Sequence, residues 1–231
     1  MPRGAKKEEK TETIVLEPRV MRILSIPISG LTELIMHKWS EKAKREMLER
    51  QMGKKTRVKA PKDPKSDFEA TMYKLTDGTF GMPTSAFKAA IIGGAREFSG
   101  VTMVGLKAAL HVEPDGFTAE GEPMVRIIGE PRMREDMVRL ESGVADIRHR
   151  AGFLPWSATI RVSFNERTLN AQSVLALTEA AGDVGIGDWR PTSKKSTGPF
   201  GRFVIDRSKT VTSTVAQAPP VKIEGDEVKT E

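Results

Sequence analysis

The order of elements in the last third of the chain constrains the fold more than any other feature of the sequence. Residues 158–164 alternate apolar and polar side chains with a period of two, which predicts a strand with one buried face. Asn170 can then cap a helix that ends at Gly182, and residues 201–205 predict a closing strand after a glycine-rich stretch. This order of strand, helix, loop and strand indicates an α+β domain. The apolar positions expected in its core are Ile160, Val162, Phe164, Val174, Leu177 and Ala181.

The upstream sequence predicts further strands and a long helix. Residues 20–28, 101–112 and 123–129 are rich in apolar side chains and predict strands. Residues 31–52 carry apolar side chains three and four positions apart, which predicts one helix that Gly53 ends. Its predicted buried stripe consists of Leu31, Leu34, Ile35, Trp39, Ala43, Met47 and Leu48.

A second helix is expected to begin at Thr84 or Ser85, because either side chain can cap it. Two adjacent glycines, Gly93 and Gly94, each lower its helix propensity by about 1 kcal/mol relative to alanine. We therefore expect another backbone to pack closely at this point. The expected packed face of the helix consists of Phe87, Ile91, Gly94 and Phe98.

The absence of cysteine excludes zinc ribbons, thiol catalysis and disulfide frameworks, and it is typical of a reducing compartment. No apolar run approaches the roughly 20 residues that a membrane span needs, and residues 1–12 do not resemble a signal peptide. We therefore expect a soluble, cytoplasmic protein. No cofactor is expected, since Gly185 and Gly187 follow a helix and lack the third glycine of a dinucleotide-binding motif.

Positive charge is concentrated in one segment. The chain has a formal net charge of +6, whereas residues 38–65 alone contain eleven basic and four acidic side chains. Such a field favours a polyanionic partner such as nucleic acid. A solvated, disordered linker is the alternative. The candidate phosphate-binding residues of this segment are Lys38, Lys42, Arg45, Lys54, Lys55 and Arg57.

Both ends of the chain are predicted to be disordered tails. Residues 1–12 and 208–231 are rich in polar and charged side chains, so they cannot bury enough apolar surface to offset the entropy of ordering. One α+β domain is expected over residues 13–207. Within it, residues 53–66 are expected to form a mobile basic loop.

The stretch between the last helix and the last strand has the composition of a nucleic-acid contact. Gly185 and Gly187 lack side chains, which allows a sugar-phosphate backbone to approach. Trp189 and Phe200 could stack on bases. The alternative is that the glycines only form tight turns and that Trp189 packs in the core. The cations available for phosphate are Arg190, Lys194, Lys195 and Arg202.

Two stretches resemble the RAMP superfamily, the RNA-recognition-motif-like proteins of CRISPR systems. The first is the helix, the Gly-x-Gly at Gly185 and Gly187, the polar basic stretch and the short apolar strand described above. The second is residues 82–91, which are similar to the Pro-Gly-Ser-Ser-Leu-Lys-Gly-Ala-Leu/Ile-Arg stretch that begins a family helix. Together they cover roughly 35 positions. Thr84 and Ala89 replace two glycines of that stretch, so the resemblance is that of a distant relative, and the overall layout is also similar to phage proteins.

The resemblance implies a ferredoxin-like core with an antiparallel sheet, whose sheet and glycine-rich loop contact RNA or single-stranded DNA. It also implies that copies line up along one strand as a homo-oligomer or filament. By position it nominates Lys88 and the loop cations, and it makes residues 130–152 a thumb-like insertion. Arg96, which lies beyond the position of the family's arginine, is a further candidate for nucleic-acid binding. This segment carries five arginines and five acidic residues, which instead favours a surface helix laced with ion pairs or a contact between copies.

Catalysis has one candidate residue. Some RNA-processing members of the family cut with a histidine early in the chain, which by position nominates His37 as general base in attack by a 2′-hydroxyl. A partly exposed structural histidine is the alternative. No compact cluster of histidine or aspartate is present, so no metal site is expected. The leading hypothesis is a non-enzymatic nucleic-acid-binding protein with weak sequence preference. The alternatives are a metal-independent endoribonuclease that uses His37 and an assembly protein that binds no nucleic acid.

Overall fold

The computed structural model describes residues 19–39, 41–53, 63–139, 143–194 and 196–216. Its helices are α1 (Glu41–Gln51), α2 (Pro64–Ala70), α3 (Thr84–Gly94), α4 (Met103–Ala109) and α5 (Ala171–Val184). Its strands are β1 (Met21–Gly30), β2 (Leu34–Met36), β3 (Gly81–Pro83), β4 (Leu110–Glu113), β5 (Gly116–Phe117), β6 (Pro123–Ile128), β7 (Pro131–Arg139), β8 (Ala145–Phe153), β9 (Ser157–Asn165), β10 (Phe203–Ile205) and β11 (Thr212–Ala216). Among the described residues, no helix has the length and apolar character to cross a membrane.

Four antiparallel strands form the centre of the domain in the order β10, β1, β9, β4. With insertions left aside, the chain order is β1, α3, β4, β9, α5, β10. This is the βαββαβ arrangement of ferredoxin-like folds, so the predicted α+β, ferredoxin-like class is confirmed. The strand β11 pairs with the first half of β1, although the sequence predicts a tail over residues 208–231. The run of β-branched threonine and valine in this stretch accounts for the strand.

The buried face of the central sheet packs against α3 and α5. Ile160, Val162 and Phe164 are completely buried, as their alternation predicts. The two helices approach closely because Gly94 has no side chain: a Cβ at this position would lie 2.9 Å from the Cβ of Ala180. The expected close packing at the glycine pair is therefore confirmed.

The ends of these two helices differ from prediction in part. Neither Thr84 nor Ser85 caps α3, since Pro83 occupies the N-cap position and no side chain bonds there. Asn170 caps α5 as predicted, because its side-chain oxygen accepts a hydrogen bond from Ser173 N at 2.8 Å. The helix α5 continues beyond Gly182 to Val184, and Gly185 forms its C-cap.

The predicted long helix over residues 31–52 is wrong in its first part. Residues 34–36 form β2 and are all completely buried. A short run of consecutive apolar residues fits a buried strand as well as a helix, so spacing alone does not distinguish them. Helical structure is confined to residues 41–51, where Met47 and Leu48 of the predicted buried stripe are exposed.

The thumb-like segment is a β-hairpin. The strands β7 and β8 pair along their whole length in a second sheet of order β2, β8, β7, so the alternative of a surface helix is wrong. The buried Asp136 contacts Arg134 on the same strand and Arg150 on the neighbouring strand β8.

Two further segments differ from prediction. Residues 103–109 are helical and only residues 110–113 form a strand, whereas one strand is predicted over residues 101–112. The helix α2 begins inside the predicted basic loop, where Asp63 caps it and Pro64 opens its first turn. The predicted tail 1–12 and residues 54–62 of the basic loop lie outside the described residues.

Candidate nucleic-acid interface

A cleft of about 460 Å³ separates one side of α3 from residues 185–202, the glycine-rich loop between α5 and β10. Its helix wall extends from Ser85 to Arg96, and its loop wall extends from Val184 to Thr192. The chain therefore brings together candidate residues that are far apart in the sequence. The candidates that line this cleft are His37, Arg96, Gly185, Gly187 and Arg190.

The helix wall consists of small residues. Ala86, Ala89 and Gly93 follow one another at spacings of three and four, which places them on one side of α3. Ser85 adds one hydroxyl group at the start of this row. At Gly93 the two walls approach each other, since a Cβ there would lie 3.2 Å from Val184 Cγ1. The room for a ligand backbone is therefore along Ala86 and Ala89.

The loop wall takes its shape from two glycines. Gly185 and Gly187 have φ angles of 74° and 80°, a region that residues with a Cβ rarely adopt. A Cβ on Gly187 would also lie 2.6 Å from the carbonyl oxygen of Ile35, which accepts a hydrogen bond from Asp188 N at 3.0 Å. The loop is therefore fixed against β2, and the interpretation of the glycines as turn formers accounts for their conformation.

Two arginines supply positive charge to the cleft. Arg190 donates from Nη1 to the carbonyl oxygen of Gly187 at 3.1 Å, which holds its side chain against the loop. Arg96 is exposed near the end of the helix wall. The other loop cations are elsewhere, since Arg202 pairs with Asp183 and the exposed Lys194 does not line the cleft. Lys195 lies outside the described residues.

Each of the two aromatic rings of the loop, Trp189 and Phe200, has one arginine guanidinium group over it. The guanidinium group of Arg150 lies 4.0 Å from the centre of the Trp189 ring, and that of Arg134 lies 4.8 Å from the centre of the Phe200 ring. The two rings also contact each other, with centres 6.0 Å apart. These contacts favour the interpretation of Trp189 as a packing residue over its predicted role in base stacking.

Of the remaining predicted cations, those whose side chains the structure describes do not line the cleft. Lys38 pairs with Glu120 at 3.4 Å, and Lys88 donates to the carbonyl oxygen of Lys107 at 2.9 Å. Arg45 is exposed on α1. Lys42 also belongs to α1, whereas Lys54, Lys55 and Arg57 lie outside the described residues.

His37 belongs to the segment between β2 and α1, not to a helix as predicted. Its Nδ1 lies 3.0 Å from Asp188 Oδ2, so Nδ1 carries the hydrogen and donates to this carboxylate. The same side chain borders the cleft. No described residue bonds to its Nε2, which is therefore the ring nitrogen left to exchange a proton.

Asp188 joins this histidine to the hairpin. Its carboxylate also accepts a hydrogen bond from Arg150, which is 1% exposed. Burial raises the pKa of Asp188, but the hydrogen bond from His37 and the positive charge of Arg150 outweigh this effect and lower the pKa to about 2. The sequence predicts no role in a site for Asp188 or Arg150. The only local indication of such a role is that Asp188 directly follows Gly187 and Arg150 directly follows His149.

No group of three histidine or acidic side chains that could hold a metal ion occurs within the described ranges. The polar groups of the cleft are two arginines, one histidine–carboxylate pair, backbone groups and the hydroxyl groups of Tyr73, Ser85 and Thr192. This inventory suits an anionic ligand.

No family model matches the chain, and neither does any curated protein. Several solved structures are similar to it, among them the following two. The crystal structure of Cmr6 from Pyrococcus furiosus has a TM-score of 0.38 and 12% sequence identity, with 80% of this chain and 98% of that chain covered. The cryo-EM structure of the Type III-B Cmr-beta bound to cognate target RNA has a TM-score of 0.45 and 8% identity, with 84% of this chain and 61% of that chain covered.

Proposed function

We propose that this chain binds RNA or single-stranded DNA in the cleft between α3 and the glycine-rich loop. The observation that carries the proposal is a cleft that has the small side chains of Ala86 and Ala89 on one side and the backbone of Gly185 and Gly187 on the other. Arg96 and Arg190 border the same space. A sugar-phosphate strand fits this combination, because it needs width for its backbone and cations for its phosphates.

Phosphate contacts supply most of the binding free energy in this proposal. Since arginines cover one face of Trp189 and one face of Phe200, base stacking on these rings contributes little. The affinity should therefore fall steeply as salt concentration rises and should vary little with base sequence.

The test is a salt titration of binding to labelled single strands, followed by fluorescence anisotropy. The double variant Arg96→Ala with Arg190→Ala should reduce the slope of log affinity against log salt by about 1.4, since each single-strand phosphate contact contributes about 0.7. The matched control removes Arg207 and Lys209, which pair with acidic residues and do not line the cleft. Equal slopes for the wild type and the cleft variant would refute the proposal.

The proposal includes several copies of the chain on one strand, as the resemblance implies. Sedimentation with oligonucleotides of increasing length should then show the stepwise addition of copies. A single bound copy at every length would contradict this part of the proposal, but it would not contradict binding in the cleft.

The pairing of His37 with Asp188 favours a second candidate function, metal-independent cleavage of RNA. In this mechanism Nε2 of His37 removes the proton from a 2′-hydroxyl, and the 2′-oxygen attacks the adjacent phosphorus. The bond to the 5′-oxygen breaks, that oxygen takes up a proton, and a 2′,3′-cyclic phosphate forms. Asp188 fixes the ring through Nδ1, and Arg190 is available to stabilise charge on the phosphoryl oxygens.

Cleavage is distinguished from binding by incubating labelled RNA and DNA of the same sequence with the protein and EDTA. We expect the RNA but not the DNA to be cut, because DNA has no 2′-hydroxyl. His37→Ala should abolish this activity while binding remains. RNA cleavage that persists in His37→Ala, or intact RNA with the wild type, would remove this candidate.

A further inference from the structure

The outer edge of β7 carries backbone groups that no described residue uses. This strand is the last in its sheet, and only β8 pairs with it. The backbone nitrogen of Ala151 donates to Thr71 Oγ1 on the side of β8 that faces away from β7. Met133 lies directly opposite Ala151, so its backbone groups also point away from β8. Because backbone direction alternates along a strand, the N–H and C=O groups of Glu135, Met137 and Arg139 also point away from β8.

The side chains of this edge form an exposed row with an apolar centre. Met137 is 76% exposed, and its cross-strand neighbour Ile147 is 46% exposed. Glu135 and Arg139 flank Met137 at equal spacing and are both exposed. A cleft of about 540 Å³ lies between the end of β7 and residues 196–200.

We propose that β7 pairs in antiparallel fashion with β7 of a second copy of this chain, across a two-fold axis at Met137. In this register Met137 lies opposite its equivalent, and Glu135 of each copy lies opposite Arg139 of the other. A register centred on Glu135 would instead place two like charges together. The sequence of the edge is therefore complementary to itself in one register, as a two-fold contact requires.

Backbone and apolar groups agree with the same register. It pairs odd-numbered residues with odd-numbered residues, so that outward N–H groups of one copy meet outward C=O groups of the other. It also forms a continuous apolar row across the axis, from Ile147 through both copies of Met137 to the second Ile147. The pairing would cover residues 135–139 of β7, an edge that a monomer leaves open. The inference does not depend on the proposed nucleic-acid function, because none of these residues borders the cleft at α3.

Charge reversal tests the register directly in the full chain. Glu135→Arg places two arginines opposite each other across the contact, and Arg139→Glu places two glutamates there, so either variant alone should raise the dimer dissociation constant at least about tenfold. A mixture of the two variants restores opposite charges at both positions and should form a heterodimer. The double variant should dimerise like the wild type. Glu97→Arg, on an exposed residue outside the hairpin, is the matched control.

The measurement is analytical ultracentrifugation of nuclease-treated protein over a series of concentrations, with circular dichroism to verify that each variant is folded. A dimer that the single variants lose and that the mixture regains supports the proposal. A wild type that stays monomeric at all concentrations would overturn it. So would a dimer that is indifferent to both charge reversals, or an association that nuclease treatment abolishes, since these outcomes would assign the contact to another surface or to nucleic acid.

Discussion

Replacing Arg150 by methionine tests whether one buried cation holds the glycine-rich loop against the β7–β8 hairpin. Arg150 is 1% exposed, and its guanidinium group contacts both Asp136 and Asp188. The same group lies 4.0 Å from the centre of the Trp189 ring. Methionine is long and flexible enough to fill most of the space, so the substitution removes mainly the charge.

The structure sets the expected size of the effect. Removing one partner of a buried ion pair costs about 3 to 5 kcal/mol when the other partner is left alone. Here Asp136 keeps Arg134 at 2.9 Å and Asp188 keeps His37 at 3.0 Å, which favours the lower limit of that range. Loss of the contact with Trp189 adds about 1 kcal/mol. We therefore expect the free energy of unfolding to fall by about 3 to 4 kcal/mol.

Urea unfolding followed by circular dichroism measures this change. Arg132→Met is the matched control, because Arg132 pairs with Glu33 on the same hairpin but is 61% exposed. Its loss should stay below about 1 kcal/mol, because Arg132 itself is exposed and the buried Glu33 keeps its ion pair with Arg134. A loss for Arg150→Met no larger than that for Arg132→Met would refute the reasoning that this buried charge joins the loop to the hairpin.

Three other perturbations test separate parts of the structure. Because the pKa of Asp188 is lowered to about 2 in the folded chain, its stabilising effect is complete above the unfolded-state value of 3.8 and is lost as the pH falls towards 2. The unfolding free energy of the wild type should therefore fall between pH 4 and pH 2, and in Asp188→Asn this fall should be smaller by about 2 kcal/mol. Urea titration at each pH measures it, and an equal fall in both proteins would contradict the expectation. Gly187→Ala should destabilise more than Gly121→Ala by at least about 1 kcal/mol, because both glycines have positive φ but only Gly187 has a carbonyl oxygen 2.6 Å from the added Cβ. Equal losses of unfolding free energy for the two variants, measured in urea, would show that the contact of the added Cβ with β2 does not destabilise the fold. Deleting residues 208–231 should lower Tm, because β11 pairs with β1, whereas a dispensable tail would leave Tm unchanged in calorimetry.

The sequence predicts the elements whose local pattern and surroundings agree. Residues 158–164 alternate because one face of β9 is buried and the other is not, so the period of two is visible without any knowledge of the fold. Asn170 is recognisable because its capping bond to Ser173 is local. The ferredoxin-like class follows from the order of such elements together with the resemblance.

The errors occur where a local pattern fits two structures. Residues 34–36 are buried on both faces in a sheet with β8, and such a run has no period that separates strand from helix. The hairpin β7–β8 is harder still to predict, because its equal numbers of arginines and acidic residues indicate ion pairs both on a surface helix and in a β-hairpin. The contacts of Asp136 with Arg134 and with Arg150, which is 14 positions away, are those of the hairpin.

Composition identifies part of the candidate site, and long-range contacts supply the rest. The glycines and Arg190 are recognisable from their spacing within one loop. In contrast, His37 and Asp188 are separated by 151 positions, and nothing near either residue indicates the other. The covering of Trp189 by Arg150 is equally invisible, since it depends on how the hairpin packs against the loop.

These contacts decide how the cleft would bind a strand. The loop wall is held on one side by the hydrogen bond from Asp188 to Ile35 and on the other by the contacts of Asp188 and Trp189 with Arg150. The helix wall is fixed by the close packing of α3 on α5. A cleft formed in this way loses little conformational entropy when a ligand enters, so most of the interaction energy is available for affinity. Arg150→Met should therefore weaken nucleic-acid binding by loosening the loop even though Arg150 does not line the cleft. Because no phosphate contact is removed, the salt dependence of binding should stay the same, which distinguishes this variant from the loss of Arg96 and Arg190.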